Sequence, residues 1–296
     1  MLSILIPTYN YNCLSLVEEL HQQGQKLGIS VEIIVADDNS KEENKQENRK
    51  MNLLPKCRYI ELDQNIGIAR IRNFLADQAH YPYILFLDSD TMPVTKDFLA
   101  RYIEAGKSAD VVCGGLKIRR KKPDKKHTLR YYYGIKTEEK NSDERKKNPY
   151  GQFVSSSFLI NRQIFQQIRF NENFTQYGHE DTFFGKQLQT LNISLLHINN
   201  PIYHEGIDTN DEFLEKTHKS LENSLRHKDI LIKHVRILNL YLKLKKTGLH
   251  FLLQAGFHIS NNLMLKNLTG EHPNLKIFAL YKLGYLSIID KKQHKF

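Results

Sequence analysis

Three short apolar runs, each ending abruptly in polar residues, constrain this chain more than any other feature. Ser3-Ile4-Leu5-Ile6 stops at Pro7-Thr8-Tyr9-Asn10, and Val31-Glu32-Ile33-Ile34-Val35-Ala36 stops at Asp37-Asp38-Asn39-Ser40. The third, Ile84-Leu85-Phe86-Leu87, stops at Asp88-Ser89-Asp90, with Pro93 closing it. Short apolar runs bounded by polar residues read as buried strands. Between the first two, Leu14, Val17, Leu20 and Leu27 recur near helical spacing, so this part reads strand, helix, strand. Near-continuous apolar strands alternating with helices indicate a parallel sheet covered on both faces. Ligands of such sheets bind outside the carboxyl ends of the strands, where all three runs carry their polar residues.

Asp88 and Asp90 cannot sit unpaired in an apolar interior, because desolvating an ionised carboxylate costs several kcal/mol unless a cation or hydrogen bonds compensate. They are expected at a rim, meeting a cation. Asp-x-Asp also suits a strand end that opens a turn, so the motif acquires meaning from the runs around it.

The ordered series Ser3 to Asn10, Glu32 to Ser40, Gly67 to Arg72-Asn73, and Asp88-Ser89-Asp90 resembles the motifs of family 2 glycosyltransferases of the GT-A fold. Gly178-His179-Glu180-Asp181 is similar to the Glu-Asp motif of that family, and Tyr203-His204-Glu205-Gly206 resembles its late metal-binding His. The resemblance covers about residues 1 to 210; each motif alone is weak and the ordered series is strong. It implies an α/β fold with one nucleotide-sugar-binding domain over 1–210, a mainly parallel central sheet flanked by helices, a charged insertion at about 117–148, and a mainly helical extension over 211–296.

The same resemblance implies an inverting, metal-dependent transferase of hexosyl or N-acetylhexosaminyl groups from a nucleotide-diphosphate sugar, a UDP-sugar foremost, in cell-surface polysaccharide biosynthesis. Its acceptor would be a saccharide or a lipid-linked saccharide. A divalent cation stabilises a leaving diphosphate as a Lewis acid. Asp90 is the candidate direct ligand, Asp88 is expected nearer the ribose or a metal-bound water, and His204 is a second ligand. Oxygen donors with one imidazole suit Mn²⁺ or Mg²⁺. Pro7, Thr8, Tyr9, Asn10 and Ser89 are expected around the donor, with Asp38 accepting from a base imide and Arg70 or Arg72 approaching base or phosphates. Asp37 to Ser40 equally suit a turn with a helix cap at Asn39 or Ser40. In the family the Asp of the Glu-Asp pair is the base and the Glu orients a substrate, which maps to Asp181 and Glu180; first-turn acids also complement a helix dipole. Arg162 resembles the family's Arg at a later helix start.

The chain has 296 residues, 40% of them hydrophobic, enough for an ordinary core. Cys13, Cys57 and Cys113 lack paired or metal-ligand spacing, which favours a reducing cytoplasm and buried thiols. A strand over residues 1 to 6 leaves no signal peptide expected, and no apolar stretch is long enough to span a bilayer. The net charge of +10 suits nucleic acid, an anionic membrane or an anionic small substrate. No zinc-finger, RNA-recognition or helix-turn-helix signal favours the first, so no nucleic-acid partner is expected.

Lys117 to Asn148 reads as a solvated loop or helix, or as an acceptor loop that closes over the site. Phe153 to Ile160 reads as a strand, with its serines leaving room near a donor sugar, and Ser194 to Ile198 is strand-like. Further on, Leu231, Val235, Leu238 and Leu242 fall on one helical face among lysines, followed by the apolar Leu249 to Phe257. Such a helix packs on a core or lies on an anionic membrane, here the cytoplasmic face of the inner membrane. Two rival readings are an inactive sugar-nucleotide-binding scaffold of the same fold and a nucleotidyltransferase. The second calls for a glycine-rich phosphate loop after the first strand, which Pro7-Thr8-Tyr9-Asn10 does not supply.

Overall fold

A computed structural model of the chain describes residues 1–293. They fall into two compact units. The first comprises Met1–Arg119, Glu139–Thr175 and Phe184–Gly206; the second comprises Arg120–Glu138, Gln176–Phe183 and the described residues from Ile207 onward. The division follows packing rather than chain order: residues 120–138 and 176–183 belong with the carboxyl-terminal helices, although both lie before residue 210.

The strands are β1 (Leu2–Thr8), β2 (Val31–Asp37), β3 (Cys57–Glu61), β4 (Tyr83–Leu87), β5 (Thr91–Pro93), β6 (Val111–Cys113), β7 (Leu116–Ile118), β8 (Ser157–Asn161), β9 (Leu195–His197) and β10 (Ile202–His204). Seven of them form one sheet in the order β3-β2-β1-β4-β8-β6-β9. Every neighbouring pair is parallel except those of β8, which runs antiparallel to β4 and β6. The expected mainly parallel sheet, flanked by helices, is thus present.

Side chains alternate across a strand, and the three apolar runs use both faces. Leu2, Ile4, Ile6, Ile33, Val35, Leu85 and Leu87 join one core cluster, to which the helix Leu14–Gln25 adds Leu16, Val17 and Leu20. Leu5, Ile34, Ala36, Ile84 and Phe86 join the other, with Ala69, Ile71, Leu75 and Ala76 of the helix Ile68–Gln78. Because both faces are covered, these strands read as continuous apolar runs rather than alternating ones. β1 lies between β2 and β4, so strand order reverses there and a crevice opens outside the carboxyl ends.

A three-stranded sheet, β5-β10-β7, follows from what comes after Asp90. β10 pairs antiparallel with β5 and parallel with β7, setting His204 opposite Thr91 on one side and Ile118 on the other.

Several local expectations are corrected. The strand expected over Phe153 to Ile160 begins only at Ser157, because Phe153 turns into the core against Phe158 and Phe184. The charged stretch expected to be solvated contains two buried arginines, Arg130 and Arg145. Arg145 donates to the carbonyls of Cys113, Gly114 and Ile198 and to His197 Nδ1, so its charge is spread over fixed acceptors. The helix after β2, Glu42–Asn48, has Lys41 rather than Asn39 or Ser40 at its N-cap and no side-chain cap. The face expected to run from Leu231 to Leu242 is broken: one short helix ends at Leu231 and the next spans Arg236–Lys246.

In the second unit, the helix Asn210–Arg226 is opened by a capping box between Thr209 and Glu212. Leu129, Leu214, Phe257, Leu268, Phe278 and Tyr281 form its core. The helices His250–Leu268 and Leu275–Gln293 approach closely at Gly284, where an added Cβ would lie 2.2 Å from the Phe257 ring. No helix among the described residues is long and apolar enough to cross a membrane. All three cysteines are buried and free.

Candidate functional site

At the carboxyl end of β4 the chain leaves the apolar core and presents Asp88, Ser89 and Asp90. The Asp88 backbone N–H donates to the Ser156 carbonyl at 3.1 Å, and the Thr91 hydroxyl donates to the Asp88 carbonyl at 2.7 Å. These bonds hold the turn while leaving the carboxylates to other partners. Arg72, on the helix Ile68–Gln78, donates from Nη2 to Asp88 Oδ1 at 2.8 Å. The guanidinium is almost fully buried and lies over the Phe170 ring at 5.1 Å, so a desolvated cation is compensated by the carboxylate and the ring face.

Asp90 meets His204, the last residue of β10. His204 Nε2 is 3.3 Å from Asp90 Oδ2, and the Glu205 backbone N–H donates to the Asp90 carbonyl at 2.8 Å. Gly206 closes the approach: a Cβ there would stand 2.5 Å from Asp90 Oδ2, so only glycine lets the carboxylate keep this position. Two ligands about 2.1 Å from one octahedral ion in adjacent positions are about 3 Å apart, which this carboxylate and imidazole match. His204 Nδ1 is buried with no hydrogen-bond partner. The pair therefore fits a divalent cation, with remaining donors to come from elsewhere, since no group of three or more His, Cys, Asp or Glu suited to a metal occurs among the described residues.

Next to this pair, Arg119 donates from Nε to Glu205 Oε1 and Oε2 at 2.7 and 2.9 Å and lies 4.1 Å above the Tyr203 ring. The bond to Glu205 raises the ionisation of the arginine further above its ordinary range. Burial, and then the charges of Asp90 and Glu205, push the Tyr11 phenol above its ordinary pKa.

The ends of β1 and β2 interlock. Asn10 and Asn39 both adopt left-handed backbone conformations, with φ of 52° and 64°, which asparagine tolerates. The Asn10 N–H donates to Ser40 Oγ at 2.7 Å, and the Lys41 N–H donates to Asn10 Oδ1 at 2.8 Å. Buried Asp37 accepts from the Ser40 N–H and the Tyr59 hydroxyl. Asp38 accepts from the N–H groups of Ile66 and Gly67 at 2.7 and 3.0 Å, which clamps the loop opening the helix Ile68–Gln78. Burial pushes its carboxyl above the usual carboxylate pKa, an effect partly offset by those two bonds. A base imide would have to share lone pairs already engaged in that loop. Thr8 is buried, its hydroxyl donating to the Tyr11 carbonyl, whereas Tyr9 is exposed. Arg70 is exposed and faces Glu172 at 3.5 Å.

Glu180 and Asp181 belong to the second unit and open the helix Glu180–Thr190. The preceding loop is pinned to the helix Asn210–Arg226: Asn223 Nδ2 donates to the carbonyls of Gln176 and Gly178, and His179 Nε2 lies 3.1 Å from Ser220 Oγ. Burial pushes the His179 imidazole down to about 4. Asp181 Oδ1 accepts from the Thr182 N–H at 2.6 Å.

Within the first unit the structure thus gathers Asp88, Asp90, His204 and Arg72, and sets Thr8 to Asn10 beside Asp38. Sequence reasoning missed Arg119 and its contact with Glu205. Its signal was pairing: β7 and β10 are parallel with Ile118 beside His204, so Arg119 and Glu205 leave the sheet side by side.

Comparison with known proteins gives the class to which this α/β sheet belongs. The fold resembles the crystal structure of S. aureus TarS 1–349, with a TM-score of 0.51 at 18% identity over 99% of this chain and 91% of that one. That protein in complex with UDP-GlcNAc gives 0.51 at 19% identity over 99% and 92%. The mannosyltransferase PcManGT from Pyrobaculum calidifontis, solved with GDP-Man and Mn²⁺, gives 0.58 at 13% identity over 98% of this chain and 87% of that one. A 93-residue stretch, 31% of this chain, is 34% identical to chondroitin synthase from Escherichia coli and spans 14% of that protein's length. The pattern of Glycosyl transferase family 2 matches residues 3–169, more than half of the chain, and the chain belongs to that family.

Proposed function

We propose that this chain transfers a hexosyl or N-acetylhexosaminyl group, with inversion, from a nucleotide-diphosphate sugar, a UDP-sugar foremost, to a saccharide or lipid-linked saccharide. The observation that carries the reading is the Asp90–His204 pair at the end of β4, flanked by an Asp88 that Arg72 holds in place. Asp90 and His204 would hold Mn²⁺ or Mg²⁺, which when bound supplies Lewis-acid stabilisation of the leaving diphosphate. Asp88 and Ser89 face the ribose, while Pro7, Thr8, Tyr9, Asn10 and Asp38 receive the base, with Arg70 and Arg72 on the flanking helix. Asp181 takes the proton of the acceptor hydroxyl as its oxygen bonds to the anomeric carbon and the bond from that carbon to the diphosphate breaks. Glu180 orients the acceptor or donor. The nucleotide sugars bound by TarS and PcManGT support this substrate class. Buried free cysteines accord with work in the cytoplasm.

The test combines thermal-shift titration of UDP-sugars and GDP-mannose, with and without Mn²⁺, with release of nucleotide diphosphate in the presence of saccharide acceptors. Selective binding raises apparent stability by mass action, and stabilisation that requires the metal is expected. The absence of stabilisation by every nucleotide sugar tried, together with no diphosphate release, would overturn the reading.

A further inference from the structure

The helix His250–Leu268 carries large apolar side chains on two sides, yet only one of them is covered. Phe257 and Leu268 are buried in the core of the second unit, and Met264 and Leu265 pack against that core. Phe251, Leu252, Ile259 and Leu263, by contrast, are 65, 70, 84 and 72% exposed, and Ala255 and Gly256 between them are exposed as well. Positions 251, 252, 255, 256, 259 and 263 recur at steps of three and four and so share one face. A cluster of large exposed apolar side chains, here interrupted only by Asn262 and Lys266, marks an interaction surface.

Charge selects the occupant. From Leu231 to Ile289 the sequence carries eight Lys or Arg and a single acid, Glu271, and Lys243, Lys246, Lys266 and Lys276 are exposed. A second copy laid on this face would bring two like-charged surfaces together. An anionic bilayer offers both an apolar interior for Phe251, Leu252, Ile259 and Leu263 and headgroups for the lysines. No described helix can cross a membrane, so this one would lie in the interface plane. We propose that the exposed face of the helix His250–Leu268 docks the second unit on an anionic lipid surface, with the neighbouring lysines supplying the charge attraction. The proposal goes beyond the transfer reaction, and attachment is read without donor or acceptor, so either can fail alone.

The experiment is co-sedimentation of the full chain with vesicles of neutral phosphatidylcholine and of the same lipid with about 30% phosphatidylglycerol, at low and high salt. Binding to the anionic vesicles, weakened by salt and absent on neutral ones, is expected. Ile259→Asp with Leu263→Asp should cut partitioning by about tenfold or more, with the circular dichroism spectrum unchanged because both side chains face solvent. Lys243→Gln with Lys246→Gln tests the charge separately and should weaken binding only at low salt. Equal binding to neutral and anionic vesicles would overturn the proposal. So would a wild-type chain that ignores vesicles, whether it stays monomeric or self-associates through a face that the Asp substitutions disrupt.

Discussion

Arg72 and Asp88 form an ion pair in which the cation is buried and the anion is not: the arginine side chain is 3% exposed and the carboxylate 29%, at an Nη2–Oδ1 distance of 2.8 Å. The asymmetry determines what each substitution does. Removing the charge at Asp88 takes one compensating partner from a desolvated guanidinium, and weakening a buried pair from one side is destabilising. Because Asp88 is partly solvated and its amide would still accept a hydrogen bond, Asp88→Asn should cost about 1–3 kcal/mol. Urea denaturation of both proteins checks this, and an unchanged midpoint would mean that Arg72 is compensated elsewhere.

Asp90→Asn removes the charge of one proposed ligand and almost none of its volume. Donor binding should lose its sensitivity to chelator, and transfer should fall by about 10²–10³-fold. A variant whose donor affinity still drops on chelation would take Asp90 out of the ligand set.

Gly206→Ala places a methyl group 2.5 Å from Asp90 Oδ2, and the carboxylate must then rotate away from His204. Displacing a group that orients a ligand typically costs about tenfold or more in metal affinity. The expected result is a rise of that order in the Mn²⁺ concentration needed for donor binding, measured by titration on the folded variant. If the curves of the two proteins coincide, Gly206 only closes a turn.

Asp181→Asn separates chemistry from binding. The amide still accepts from the Thr182 N–H, so the helix start survives, but it cannot take the acceptor's proton. Turnover should fall by about a hundred to ten thousandfold while the donor dissociation constant stays near that of the wild type. Unchanged turnover would pass the search for the base to Glu180.

His197 is held neutral by its surroundings: Nδ1 accepts from Arg145 at 2.8 Å, and Nε2 donates to the Pro149 carbonyl at 2.9 Å. Burial, reinforced by the Arg145 charge, brings its ionisation down to about 4. On acidification the unfolded chain therefore takes up this proton before the folded one. Stability is undiminished above the unfolded value of about 6.5, is lost as pH falls through it, and stops falling near 4, for a loss on the order of 3 kcal/mol. Denaturant titrations at pH 7 and pH ~4.5 should show the decline, and His197→Gln, which takes up no proton, should show less of it.

The sequence by itself determined the middle of the central sheet, β2, β1 and β4. The runs Ser3 to Ile6, Val31 to Ala36 and Ile84 to Leu87 declare buried strands because burial on both faces leaves a local, continuous apolar signature. It also marked Asp88 and Asp90, since polar residues at strand ends stand out against such runs, whereas His204 was marked only by the resemblance of Tyr203-His204-Glu205-Gly206 to a family motif. What it could not determine depends on partners distant in the chain. Arg145 looks like one more lysine-rich solvent residue until four acceptors from Cys113, Gly114, His197 and Ile198 surround it. Residues 120–138 read as an insertion in the first domain, yet Leu129 packs into the core of Leu214, Phe257 and Phe278. Gly206 looks like a turn glycine, and only the pairing of β10 with β5 brings it against the Asp90 carboxylate. Periodicity is a property of neighbouring residues and can be read along the chain, whereas the pairing of charges and the fit of a glycine against a carboxylate exist only once tertiary packing has set their distances.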